Sequence, residues 1–417
     1  MTKYKLIGPI SQLLPMNGLP LKGALQDKDL PVINNAGILT EGEYIHSIGT
    51  YSDLVEVANS LDAEIVKLQS DYVCLPGFID VHTHICFSGS RANDYAMRNS
   101  GKTYLEIAKA GGGIWDTVTN TRTADQQELS QGITKRANQL LKKGITTVEV
   151  KSGYGLSIEE ELKMLRAIKE ASLHLESDLI PTCLAAHMLP KDYEGTHQEY
   201  LAEISSTLFP ILKSEHLTNR IDAFIEQSAF SKEDIHPYFQ KATEMGFDIT
   251  VHADQFTPGG SEIAVAFKAV SADHLEASTD KEIKILADSD VISVALPGAS
   301  IGLGCSFTPA RKILDAGGAL AIASDWNPGS APMGDLLTQA CILGTFEKLS
   351  NAEILAGITY RASAALKLED RGTLASRKLA DFCLFPINHY NEILYHQGKL
   401  TPSQVWKRGD VTYIDKH

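Results

Sequence analysis

A chain of 417 residues with 43% hydrophobic side chains is long enough to bury one large core and a smaller one. A formal net charge of −14 argues against nucleic acid or an anionic membrane as the main partner, because both favour a basic surface. Six scattered cysteines with no CxxC pair argue against a disulfide framework and a thiolate zinc site, and no stretch reaches the length of a bilayer span, so the chain reads as cytoplasmic.

Residues 1–70 open with short alternating strands and turns, in "LIGPI", "GILTEGEYIHSIGTY" and "AEIVKL", rather than long helices. From 71 to 369 a different unit repeats: a short apolar strand that ends in polar residues, then an amphipathic segment. "GFIDVHTH" is the first such strand, and "ITTVEVKSG", "LIPTCLAAH", "IDAFIEQSAF", "FDITVHAD", "AVSADHLE", "VISVALPGA" and "ALAIASDWNPG" bring the number to eight. Between them lie helix-like stretches. "SIEEELKMLRAIKEASL" carries apolar residues at helical spacing, and "KEDIHPYFQKATEMG" ends on a glycine stop. Residues 370–417, with "GTLASRKLADFCLFP" and "QVWKRGDVTYI", return to strands and turns. The pattern predicts an α/β fold: a (β/α)8 TIM barrel over 71–369, with a small composite β-sandwich built from 1–70 and 370–417.

In such a barrel function sits at the C-terminal ends of the strands, and the unusual polar residues fall there. His82 and His84 end the first strand and, two residues apart on extended chain, point the same way. Lys151 ends the second strand, His187 the third, Glu226 the fourth, His252 and Asp254 the fifth, His274 the sixth and Asp325 the eighth. One rim histidine is more often structural than a ligand; histidines at four strand ends point to a metal. His82, His84, His252 and Asp325 suit a borderline divalent ion with one position left for water. Asp325 would also carry a proton from that water to a leaving nitrogen, and His274 would polarise the scissile carbonyl. The glycine run "AGGGI" at 110–114 lacks the Lys and Ser/Thr of a phosphate loop and reads as a turn or lid beside the pocket.

"PGFIDVHTH", "HAD", "SADH" and "ASDWNPG", with the flanking "LADFCLF", resemble the amidohydrolase superfamily of metal-dependent barrels. Within it, "HTHICFSGSRANDYAMR", "KTYLEIAKAGGGI", "VEVKSGYGL", "AAHMLP" and "SDWNPGSAPM" resemble the imidazolonepropionases of histidine degradation, over nearly the whole chain. The resemblance implies hydrolysis of 4-imidazolone-5-propanoate, a small anion, to N-formimidoyl-L-glutamate. It implies that Arg91 grips the propanoate carboxylate, that Tyr104, Tyr154 and His187 line the pocket, and that Asn327, Gly329 and Ser330 reach the substrate or product. Gln255 stands where some members have a glutamate. An amide can hydrogen-bond the ring but cannot act as a base, which leaves proton transfer to Asp325 and His274.

Two-metal relatives bridge their ions with a modified lysine or a glutamate after the fourth strand. Lys151 lies after the second, where it reads as a structural or supporting donor, and Glu226 reads as a hydrogen-bonded strand-end residue. One ion per subunit is expected, zinc in preference to iron as Fe3+, in a homodimer. A deaminase of a cyclic amidine or base would differ by releasing ammonia, and a silent scaffold by binding metal without turnover.

Overall fold

The computed structural model describes residues 3–415, apart from the side chains of Tyr104, Leu105 and Ala108. Its centre is a ring of eight parallel strands, each paired with the next: Phe78–Asp80, Ile145–Lys151, Asp178–Ala186, Arg220–Ala223, Asp248–Ala253, Ser271–His274, Ile292–Ala295 and Ala319–Ile322. The strands are buried along nearly their whole length, as expected of a parallel sheet jacketed by helices, which is why they read as apolar runs rather than as alternating patterns. These are the eight strands anticipated, but several are shorter than their apolar runs. The first stops at Asp80 and the eighth at Ile322, so His82, His84 and Asp325 lie just beyond the ladder.

The ring closes through those extensions. Thr83 pairs with Trp326, Asp325 N donates to the His82 carbonyl at 3.0 Å, and His84 N donates to the Trp326 carbonyl at 2.9 Å. Closing the barrel therefore brings His82 and His84, from the first strand, beside Asp325, from the eighth. Helices cover the ring, and their starts follow capping chemistry: Asp125, Ser157 and Ser231 each accept a hydrogen bond from the backbone three residues on.

The two termini build a second sheet of eight strands. Asp410–Ile414, Gln404–Lys407, Phe382–Phe385, Val73–Pro76, Tyr4–Leu13, Ile33–Glu41 and Tyr44–Thr50 follow one another, and Glu64–Lys67 joins beside Tyr4–Leu13. Strand Tyr4–Leu13 changes partner along its length, pairing with Glu64–Lys67 through Lys5–Gly8 and with Val73–Cys74 through Gln12–Leu13. The sheet wraps a second core of Ile7, Ile10, Leu13, Ile38, Phe382 and Trp406. The sandwich is thus one continuous mixed sheet. It also carries a helix, Tyr51–Ser60, where strands and turns were expected; Leu54 and Ala58, one turn apart, bury its inner face. Among the described residues no helix is long and apolar enough to cross a membrane.

Candidate metal centre and active site

Three buried imidazoles and one carboxylate meet on the C-terminal rim of the barrel. His84 Nε2 is 3.2 Å from His82 Nε2 and 3.4 Å from His252 Nε2. Asp325 Oδ1 stands 3.4 Å from His84 Nε2 and 3.6 Å from His82 Nε2. Burial pushes His82 and His84 well below the ordinary imidazole range and His252 down to about 3, so all three are neutral. His82 donates Nδ1–H to Asp273 Oδ2 at 2.7 Å, which leaves a lone pair on Nε2. Neutral rings that turn their Nε2 atoms on one another in a dry site fit together best around a shared cation. Tetrahedral donors about 2.0–2.1 Å from such an ion are roughly 3.3 Å apart, the spacing found here. The residues fit a divalent metal site, with His82, His84 and His252 as its core.

The imidazoles rest on a buried charged layer. Asp222 Oδ2 lies 2.9 Å from His252 Nδ1, at contact distance though not aligned as a hydrogen bond, and Lys151 Nζ is 2.8 Å from the same oxygen. Lys151 also meets Glu149 at 2.8 Å. Burial disfavours its charge, but the surrounding carboxylates more than restore it and hold the ammonium above its ordinary range.

His274, at φ +84°, packs beside His82 and His252 with ring centroids 5.6 and 5.3 Å away. Burial opposes its protonation, but Glu276, 3.4 Å from Nδ1, together with Asp325 and Asp273 raises it above the ordinary imidazole range. Burial likewise pushes the Asp325 carboxyl up to about 7. The neighbouring carboxylates thus favour the protonated form of His274, while burial favours the protonated form of Asp325 on the same rim.

A cavity of about 160 Å³ opens above them. It is lined by His84, His252, His274 and Asp325 together with Arg91, Tyr154, His187, Gln255, Asn327, Gly329 and Ser330. Of the anticipated site residues, His82 lies behind the cavity wall, and the Tyr104 side chain lies outside the described residues. Asp94 accepts the Arg91 Nε–H at 2.8 Å and so aims the guanidinium without occupying its outer nitrogens. The same carboxylate oxygen accepts from Gly113 N at 2.9 Å, and a β-carbon at Gly112 would stand 2.2 Å from the other oxygen. The "AGGGI" run is therefore the seat of Asp94, a turn that supports Arg91.

His187 donates Nδ1–H to the Gly153 carbonyl at 2.9 Å, and burial lowers it to about 4, so Nε2 is an acceptor. Asn327 is committed to its own turn: Oδ1 accepts from Gly329 N and Ser330 N, both at 2.8 Å, while Nδ2 donates to the Asp325 carbonyl and Ser330 Oγ. Glu226 is committed as well, accepting from Gln227 N, Phe256 N and Thr257 N, as is Asp254, which accepts from Gly259 N and Ser261 N.

Sequence reasoning missed four contributors. Arg98 lines the cavity and donates Nη2 to the Gly329 carbonyl at 3.3 Å; its spacing of seven from Arg91, two helical turns, was the available signal. Asp222 and Asp273 look like any polar residue of "IDAF" and "SADH" until closure sets them under the histidines. Glu161 carried no signal beyond its place in a helix, yet it organises the loop that bears Tyr154.

Residues 73–412 match the model of the amidohydrolase family. The chain belongs to that family. Among curated relatives, the imidazolonepropionase of Acinetobacter baumannii (strain AB307-0294) is 39% identical over 388 residues, covering 92% of this chain and 96% of that one. An imidazolonepropionase of Bacillus cereus is 38% identical over 413 residues, covering 97% and 95%. Among solved structures, an adenosine deaminase from Xanthomonas campestris with bound zinc superposes with a TM-score of 0.69 at 17% identity over 98% of this chain and 93% of that one. An atrazine chlorohydrolase from Arthrobacter aurescens TC1 complexed with zinc gives 0.69 at 14% identity over 98% and 95%. At that identity the likeness is one of fold: an amidohydrolase barrel with its composite sheet.

Proposed function

We propose that this amidohydrolase cleaves the cyclic amide bond of 4-imidazolone-5-propanoate, giving N-formimidoyl-L-glutamate in histidine degradation. The observation that carries the reading is one cavity with a three-imidazole, one-carboxylate cluster on its floor and two guanidiniums, Arg91 and Arg98, on its wall. The relatives' shared name supports it. His82, His84, His252 and Asp325 would hold one ion, and we take it to be zinc, the metal in both zinc-bound structures above, rather than iron. When bound, the ion supplies Lewis acidity and a water acidic enough to react near neutral pH.

The chain's own groups do the rest. Arg91 holds the propanoate carboxylate, with Arg98 beside it, so the ring is placed over the metal cluster. His187 Nε2 accepts a ring N–H, while the phenol of Tyr154 and the amide of Gln255 bound the ring plane. His274, protonated, donates toward the scissile carbonyl, where negative charge grows as it is attacked. Asp325 accepts the proton of the attacking water and returns it to the departing ring nitrogen. The backbone amides of Gly329 and Ser330 serve through the Asn327 turn that fixes Arg91's neighbourhood. The protein acts as a cytoplasmic homodimer of this two-part chain, 71–369 forming the catalytic unit apart from strand Val73–Pro76, which joins 1–70 and 370–417 in the sheet outside it.

Elemental analysis joined to a turnover assay on imidazolone-propanoate tests the proposal. One metal equivalent and formation of formimidoyl-glutamate without ammonia are expected; ammonia release would make the enzyme a deaminase instead. In His82→Ala and His252→Ala metal and activity should vanish together while the fold survives, and a full metal equivalent with normal turnover in either would reject the ligand assignment.

A further inference from the structure

We propose that Lys151 is a positioning residue of the metal centre: a single buried ammonium sets the carboxylates that orient two of the three ligand imidazoles. Lys151 ends the second barrel strand, is fully buried, and reaches across the barrel to the fourth and sixth strands. Its Nζ is 2.8 Å from Glu149 Oε1, 2.8 Å from Asp222 Oδ2 and 3.6 Å from Asp273 Oδ2. Asp222 Oδ2 is 2.9 Å from His252 Nδ1, and Asp222 Oδ1 accepts from His252 N at 3.2 Å. Asp273 Oδ2 accepts from His82 Nδ1 at 2.7 Å and from Thr250 Oγ1 at 3.3 Å. Two imidazoles from opposite sides of the barrel are thus linked through one cation. His84 has no such link; among the described residues no carboxylate faces its Nδ1.

The physical case rests on what a buried carboxylate needs. Asp222 and Asp273 are 0% and 1% exposed, and a dry carboxylate without a counter-charge is costly to keep in place. Lys151 is the cation that touches both among the described residues. The hydrogen bond from His82 Nδ1 to Asp273 fixes that ring's orientation, and the Asp222 carboxylate beside His252 Nδ1, with its charge, favours the N–H on that side, so that both Nε2 atoms face the metal. Removing such an outer partner typically weakens metal binding or activity roughly ten- to a hundredfold. One lysine bearing on two ligands places both of those effects on a single side chain. Its reach from the second strand also explains why a lysine stands at the rim without being a ligand.

The inference rests on the three-histidine metal reading, and the experiment separates the two. Zinc affinity is measured by chelator competition in the wild-type chain and in Lys151→Met, and both are loaded with cobalt for their visible spectra. Failure of the wild type to bind zinc tightly would reject the metal reading itself. With tight wild-type binding, Lys151→Met should bind zinc roughly ten- to a hundredfold more weakly and show a shifted cobalt spectrum. A merely structural lysine would lower thermal stability and leave the folded protein's zinc affinity and cobalt spectrum unchanged, which would overturn the proposal. If Lys151→Met does not fold, the charge-balanced Lys151→Met/Glu149→Gln chain carries the same expectation. In the zinc-loaded wild type, the Lys151 ammonium should exchange slowly with solvent and lie close to the Nδ1–H protons of His82 and His252. Fast exchange would overturn the proposal whatever the variants do.

Discussion

Asp325 touches two of the imidazoles yet is also the carboxyl that burial lifts to about 7, so binding and proton transfer meet in one side chain. Asp325→Asn keeps a weak oxygen donor and removes the proton acceptor. Turnover should therefore fall by roughly two to four orders of magnitude, the usual worth of a general acid–base group, while zinc content falls much less; equal losses would reduce Asp325 to a ligand. Arg91 makes a contact of another kind. A charge-assisted pair to a carboxylate is worth about 1.5–3 kcal/mol, so Arg91→Met should cost roughly ten- to more than a hundredfold in kcat/KM. It should do so for the propanoate substrate and not for an imidazolone with an uncharged tail. Gly329→Ala tests the same contact from the other side, because a β-carbon there would stand 2.3 Å from Arg91 Nη1. Its KM should rise with metal content intact, and an unchanged KM would mean that Arg91 can move without loss. The residues that meet in the rim cluster were readable because each sits at the end of an apolar run, a position that barrel geometry makes functional. Asp222, Asp273 and Arg98 were not, because their roles depend on which strands and helices face one another after closure.

At the scale of elements, the loop after the second strand shows how a helix residue can build a pocket. Glu161, fully buried in helix Ile158–Ser172, turns its carboxylate to Gly153 N, Gly155 N and Leu156 N, the last two at 2.8 Å. Gly155 has no room for a β-carbon, which would stand 2.6 Å from the Glu160 and Glu161 backbone. Tyr154 lies between these anchors, and the Gly153 carbonyl receives His187. Glu161→Ala should leave buried N–H groups without acceptors and cost on the order of 3 kcal/mol. Faster hydrogen exchange across 153–156 and a raised KM should accompany it, whereas Glu161→Gln, which keeps one oxygen, should lose less. Unchanged exchange in Glu161→Ala would show that the glycines alone hold the loop. The element order was legible for the complementary reason: eight apolar runs, helical spacing and the glycine stop of "KEDIHPYFQKATEMG" are local signals. Strand ends were less so, since the ladder stops where closure stops it, at Asp80 and Ile322, and not where the apolar run does. Helix Tyr51–Ser60 escaped because Leu54 and Ala58 offer only two buried positions to mark its period.

For the whole molecule, what matters is how the terminal sheet is tied to the barrel, and Asp178 is where the tie is densest. It opens the third barrel strand and accepts from Lys407 at 2.7 Å, Arg408 at 2.6 Å and Arg371 at 2.5 Å, all three from the C-terminal segment. Burial would raise its carboxyl, but these cations, Lys407 foremost, outweigh burial and hold it down at about 2. The unfolded value is about 3.9, so the folded value is the lower one and the stabilisation is complete only above that pH. It is lost as pH falls toward 2. The full contribution is on the order of 2 kcal/mol, which for a chain of this length corresponds to roughly 2 °C in Tm. Asp178→Asn should therefore be less stable than wild type by that amount at pH 7, and the gap should shrink by about half between pH 5 and pH 3, as the unfolded chain's carboxyl takes up a proton that the folded one still excludes. Denaturant unfolding of both proteins across that range reads the gap directly. A gap that stays constant down to pH 3 would mean that Asp178 joins the two sheets by packing and neutral hydrogen bonds, and that its charge contributes nothing to the join.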